Sequence, residues 1–153
     1  VYALGDVNGG RQHTYVSLDD FRVIKSTLYG DGSYDTSKRQ NVPYSVFLST
    51  PLSRVGLTEA EAKNRGYDYK VNTIPLASIP KAQVLKQTKG LLKAVVDKKN
   101  NEILGVALLA PESYEVINIV KLAMDNHLPY TSLRDMVFTH PTMSEALNDL
   151  LAF

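Results

Sequence analysis

GLLKAVVDKKNNEILGVALLA, residues 90–110, holds two β-prone runs separated by four polar residues. Gly90–Asp97 and Glu102–Ala110 read as strands, and Lys98–Asn101 as the polar hairpin loop that joins them. The second run is almost wholly apolar, which predicts a central strand with both faces covered.

Working upstream, Tyr67–Leu76 alternates enough for a third strand. Pro75 and Pro80 bracket an irregular crossing, and Ala82–Leu85 fits either a turn of helix or an extended piece. Thr58 opens a helix through a capping box with Glu61, and Gly66 closes it. Tyr44–Ser49 and Ser53–Gly56 are two further short extended pieces. Downstream, Glu112–Asn126 is the clearest helix. Val116, Ile119, Val120 and Ala123 line one face, and Ile117, Leu122 and Met124 widen it; Asn126 and Pro129 stop it. So wide a stripe suits deep burial, or a sheet and a partner together, and both readings stay open. Thr131 or Ser132 caps a shorter helix through about Val137, and a last helix spans Thr142–Leu151. The pattern β-α-β-β-β-α-α-α over residues 44–153 predicts the α+β class: an antiparallel sheet with helices on one side.

The first 43 residues are of another kind. Val1–Leu4 reads as the end of a buried strand, Gly5–Gly10 as a glycine-rich turn, and a helix begins near Thr14 with Leu18, Phe21, Ile24 and Leu28 at helical spacing. A strand, a tight turn and a helix amino end make a generic place for a phosphate or polyol, although glycines at a strand end often form only a turn. Residues 31–43 are polar, end in proline and read as a linker between residues 1–30 and the domain 44–153. An apolar start with neither Met nor a turn before it suggests a piece of a longer chain.

Composition narrows the chemistry. A net charge of +1 gives no electrostatic case for nucleic acid or an anionic membrane. No apolar run approaches the roughly 20 residues of a spanning helix, and no signal peptide is recognisable, so a cytoplasmic location is expected. With no cysteine, thiolate chemistry carried by this chain is excluded; His13, His127 and His140 lack metal-ligand spacing, so no metal site is expected. The most chemical stretch is Phe138-Thr139-His140-Pro141-Thr142-Met143-Ser144-Glu145. Histidine titrates near neutrality, and a carboxylate beside it can fix its tautomer and stabilise its charged form. Thr142 and Glu145 equally fit a capping box at a helix start. The two readings are compatible.

Four motifs, taken in order, give the chain a resemblance to the flavin-dependent pyridine nucleotide–disulfide oxidoreductases, the family of glutathione reductase, lipoamide dehydrogenase and mercuric reductase. Tyr2-Ala3-Leu4-Gly5-Asp6 resembles the family's second FAD motif. Thr14, eight residues past Asp6, matches its helix start beside the flavin. Arg54-Val55-Gly56-Leu57-Thr58-Glu59-Ala60-Glu61-Ala62 resembles the opening of its dimerisation domain, and His140-Pro141-Thr142 with Glu145 its carboxyl-terminal signature. Gly5–Gly10, Thr14–Asp20, Asn41–Phe47 and Ile117–Lys121 look most like a bacterial subgroup that is induced by reactive chlorine and reduces hypothiocyanous acid.

The resemblance implies a division of labour. In the whole enzyme NAD(P)H reduces FAD, FAD reduces a cysteine pair, and the carboxyl-terminal domain forms a homodimer in which His140 and Glu145 complete the partner's redox-disulfide site. Gly5, Asp6, His13, Thr14 and the His140 carbonyl are then the flavin contacts, with Asp6 on the ribityl chain and a cis bond before Pro141 consistent with the family. This sequence lacks the first dinucleotide fingerprint, the cysteine pair and the NAD(P)H domain. The expectation is therefore a dimerisation domain carrying a remnant of the FAD domain in residues 1–30, with no tightly bound FAD and no turnover alone. The alternative is a stand-alone homodimeric interaction module with no catalytic role.

Overall fold

The computed structural model describes all 153 residues and divides them into two compact units, Val1–Gln40 and Asn41–Phe153. The larger is built on a five-stranded antiparallel sheet of β1 (Tyr44–Val46), β2 (Leu52–Gly56), β3 (Tyr69–Pro75), β4 (Leu91–Asp97) and β5 (Ile103–Leu109), in the order β1-β2-β5-β4-β3. The apolar run at 102–110 is central, as its composition requires. Register places Val55, Val106 and Ala94 side by side on one face, with Ser53, Leu108 and Leu92 in the next row. That face carries the core. It is covered by α4 (Ser113–Asp125), which packs on β2 and β5, and by α6 (Ala146–Leu150), which packs on β3 and β4. Each fully buried Leu or Ile contributes about 1.5–3 kcal/mol, and Leu76, Ile79, Leu92, Leu108, Ile117, Leu147, Leu150 and Leu151 all qualify. On the opposite face Arg54, Ala107 and Lys93 line up, and Glu59 at the start of α2 (Glu59–Asn64) pairs with Lys93. The α+β architecture is the one expected.

Local chemistry explains most boundaries. Thr58 Oγ1 accepts the Glu61 N–H at 3.1 Å while the Glu61 carboxylate accepts the Thr58 N–H at 2.7 Å, so the capping box is closed. Pro80, fixed in φ, opens α3 (Pro80–Val84), which decides Ala82–Leu85 in favour of helix. Gly56 and Gly105 face each other where β2 leaves the sheet. Gly56 has φ +74°, and a Cβ there would stand 2.2 Å from the Leu104 carbonyl oxygen and 2.7 Å from Met124 Cε. The Leu57 N–H can therefore reach the Leu104 carbonyl at 2.8 Å. Beneath β1 and β2, buried Ser53 shares hydroxyl bonds with Ser45 at 2.7 Å and Ser113 at 2.9 Å, and Ser113 donates to the Pro51 carbonyl at 3.1 Å. No polar side-chain atom is left buried without a partner. On α4 the inward face is Val116, Ile117, Val120, Ala123 and Met124, whereas Leu122 is 64% exposed.

Three expectations need correction. Val1–Leu4 is exposed and forms no strand, because no second strand within the chain offers it a ladder. The helix read through Val137 is only α5 (Thr131–Arg134): Thr131 is its first residue, not its cap, and Val137 is 95% exposed. The last helix likewise begins at Ala146, since Thr142–Glu145 forms its entry turn.

The smaller unit inverts the usual pattern. Helix α1 (Thr14–Tyr29) exposes the expected apolar stripe, Leu18, Phe21 and Leu28, and buries Asp19 and Asp20 with Val16. Arg39, within the stretch read as a linker, binds both carboxylates. The Tyr34 hydroxyl donates to Asp19 at 2.6 Å; the Gly5 N–H and the Asn8 amide donate to Asp20 at 2.8 and 2.9 Å. Burial pushes both pKa values up, but bonds from Tyr34 and Arg39 to Asp19, and from Gly5, Arg39 and Asn8 to Asp20, outweigh it and hold both below the usual carboxylate range. No helix in either unit is long and apolar enough to cross a membrane.

Two outcomes are expected. Gly56→Ala should destabilise the larger unit by about 3 kcal/mol, read from the urea midpoint, because strain at positive φ adds to overpacking. For the smaller unit the folded carboxylates bind protons less readily than the unfolded ones. Its stability is therefore complete above the ordinary carboxylate pKa of roughly 4 and is lost as pH falls through the depressed values. An acid titration of the Gly5 and Arg39 Nε–H NMR signals should show that loss; signals unchanged to the lowest pH would count against the Asp–Arg39 cluster.

Candidate functional site

The turn Phe138–Glu145 hangs between two apolar anchors. Phe138 packs partly buried against the core and Met143 is buried within it, so the residues between them are pushed outward. His140 is the result: its side chain is 67% exposed, while that of Glu145 is 17% exposed. The peptide bond between His140 and Pro141 is cis.

Glu145 divides its carboxylate between two duties. Oε1 accepts the Thr142 N–H at 3.1 Å, and Thr142 Oγ1 accepts the Glu145 N–H at 3.3 Å while donating to the Thr139 carbonyl at 2.8 Å. These reciprocal bonds have the pattern of a capping box, but they close the entry turn Thr142–Glu145 ahead of α6 and not the first turn of α6 itself. Oε2 meets His140 Nδ1 at 2.7 Å. A carboxylate only accepts, so in the neutral ring the proton sits on Nδ1 and the lone pair on Nε2, facing solvent. The arrangement fixes the tautomer and the orientation of the ring and leaves Nε2 without a protein partner. The two oxygens of one carboxylate thus make both sets of contacts, Oε1 with the Thr142 backbone and Oε2 with the His140 ring.

The other expected site residues lie in the smaller unit. Gly5 has φ +75° and opens a single 3-10 turn, Gly5–Asn8, in which Asp6 is exposed. His13 stands in extended backbone just before α1 and stacks on Tyr15, with ring centroids 5.1 Å apart and planes 10° from parallel. Thr14 is the first residue of α1, where backbone N–H groups point out of the helix and favour an electron-rich acceptor. The smaller unit thus offers one exposed acceptor, the Asp6 carboxylate, and one set of outward donors, the N–H groups at the start of α1. No cluster of three or more His, Cys, Asp or Glu side chains is assembled anywhere.

Two asparagines escape a reading by pattern. Asn148 on α6 donates to the carbonyls of Leu133, Arg134 and Met136, and Asn72 on β3 to those of Asp149, Leu150 and Ala152. A polar residue on a largely apolar helix is the only sequence signal for Asn148, and its acceptors lie 12 to 15 residues away.

Residues 42–151 match the pyridine nucleotide-disulphide oxidoreductase dimerisation domain. The chain is 55% identical over 152 residues to the probable pyridine nucleotide-disulfide oxidoreductase RclA of Escherichia coli, a match that covers 99% of this chain and 34% of that protein. It is 34% identical to a dihydrolipoyl dehydrogenase of Mycobacterium tuberculosis, covering 97% of this chain and 32% of the relative. A solved structure described as the HOCl-induced flavoprotein disulfide reductase RclA from E. coli superposes with a TM-score of 0.96 at 55% identity, covering 99% of this chain and 35% of that one. The chain thus spans about a third of the length of these relatives.

The capping duty can be separated from the imidazole. Thr142→Ala should cost about 1 kcal/mol of stability, seen as a lower denaturant midpoint, while the His140 Nδ1–H signal persists because Oε2 is untouched. Loss of that signal with the midpoint unmoved would contradict the division of the carboxylate.

Proposed function

This chain belongs to the pyridine nucleotide-disulphide oxidoreductases, matching their dimerisation domain, and from that premise we propose that it joins two copies of an FAD-dependent reductase and lends its His140–Glu145 pair to the partner's disulfide site. The observation that carries the reading is the 2.7 Å contact between His140 Nδ1 and Glu145, on a ring otherwise open to solvent. An acid–base group meant for sulfur in another subunit must protrude, be fixed in tautomer and keep one nitrogen free.

The chemistry needs such a group. A thiolate released from a disulfide becomes a thiol, and ceases to attack back, only when a proton reaches it, and Nε2 of a charged His140 can supply that proton. In the reverse sense neutral Nε2 takes a proton from a thiol and raises its thiolate fraction. Glu145 orients the ring through Nδ1 and keeps Nε2 as the working nitrogen. This chain has no cysteine, so the sulfur it serves lies outside these residues, and by itself the chain should show no turnover.

The smaller unit fits a share in the flavin. Asp6 would accept hydrogen bonds from the ribityl hydroxyls, Gly5 and His13 would shape the approach, and the N–H groups at Thr14 would meet the polar edge of the ring, with the His140 carbonyl contributed across the dimer. Bound FAD would supply electron transfer between NAD(P)H and the disulfide. For assembly, Phe47 at 76% exposure, tilted against Tyr114 at 5.4 Å, and Leu122 on α4 leave apolar surface suited to a second copy.

His140→Gln, in the reductase that contains this chain, should lower turnover by roughly 10² to 10⁴-fold without changing the sedimentation of the dimer. Full turnover in that variant would rule out the acid–base duty.

A further inference from the structure

We propose that Asn148 is a positioning residue for the His140–Glu145 pair, closing from within α6 the loop that presents the imidazole. Its Nδ2 lies 3.0 Å from the Leu133 carbonyl, 2.8 Å from that of Arg134 and 3.0 Å from that of Met136. Those carbonyls stand at and just beyond the end of α5, where a helix leaves its last acceptors without internal donors. Met136 precedes His140 by four residues, and Asn148 follows Glu145 by three. One amide therefore bridges the two roots of the loop.

The pair cannot provide this order itself. Its histidine is two-thirds exposed, and an exposed pair contributes little to holding its own geometry. Nor can α6, which is five residues long. The helix is held instead by Ala146, Leu147 and Leu150 in the core and by Asn72, whose Nδ2 reaches the Leu150 carbonyl at 3.0 Å and that of Asp149 at 3.3 Å. Asn72 fixes α6 to the sheet; Asn148 fixes the strand of chain leading to His140 onto α6. The spacing between Nδ1 and Oε2 is thus set from behind, by an amide that touches neither group.

The inference rests on the acid–base reading only for its effect on turnover, so its test has two arms. In the first, 15N NMR of the 153-residue chain at mildly alkaline pH, where imidazoles are neutral, reads the His140 tautomer. The unaltered chain should show a single form with the proton on Nδ1. Asn148→Leu, which removes both donors, should abolish that single form while His13 and His127 are unmoved, and Asn148→Gln, which keeps the amide, should restore it in part. A folded Asn148→Leu chain that keeps the His140 tautomer overturns the proposal. Should that variant not fold, the Asn148 side-chain protons of the unaltered chain decide: slow solvent exchange supports the clamp, and exchange at the rate of a free amide overturns it. In the second arm, Asn148→Leu in the reductase should lower kcat about tenfold with KM for the nucleotide unchanged. A lost tautomer with full turnover upholds the clamp and defeats the acid–base duty; an intact tautomer overturns the clamp whatever the turnover.

Discussion

A helix of five residues does not hold itself together in water, because the entropy of fixing its first turn is scarcely repaid before it ends. Yet α6 carries Glu145 at its entry, and Glu145 is the group that holds the His140 ring. The geometry of the site therefore depends on α6 being held from outside. Two kinds of force do this. Ala146, Leu147, Leu150 and Leu151 are buried against β3, β4 and the rest of the core, which fixes the helix in depth. Hydrogen bonds from Asn72 and Asn148 fix it in rotation and register, something hydrophobic contact does poorly because it has no direction.

The same economy governs Glu145. One carboxylate closes the entry turn ahead of the helix and orients the imidazole, each through its own oxygen. A capping residue that served only stability would leave His140 free to turn; an orienting residue that left the helix start bare would loosen its own backbone. Joining the roles means that the chemical group is only as mobile as the secondary structure beneath it. Phe138 and Met143, on either side, make the turn protrude while its ends stay in the core.

How much of this was legible follows from how local each cause is. The strands at 91–97 and 103–109 and the capping box at Thr58 are written within a few adjacent residues, and each forms as expected; the Thr142–Glu145 bonds form too, but close an entry turn ahead of α6. The His140–Glu145 contact spans five residues and was readable for the same reason. What was not legible depends on distant partners. Helix α1 turns its charged face inward because Arg39 lies some twenty positions along the chain, and no periodicity count sees an arginine there. The carbonyls at the end of α5 are met by an asparagine on another helix, and the buried Ser45–Ser53–Ser113 hydroxyl chain exists only once β1, β2 and α4 have met.

The inverted α1 also gives the two units different physical temperaments. Residues 41–153 cohere through hydrocarbon withdrawn from water, a force that excluded salts such as sulfate strengthen. Residues 1–40 cohere through a guanidinium held between two carboxylates, an attraction that dissolved ions weaken wherever they can reach it. One change of electrolyte therefore tightens the larger unit and slackens the smaller, within a single polypeptide.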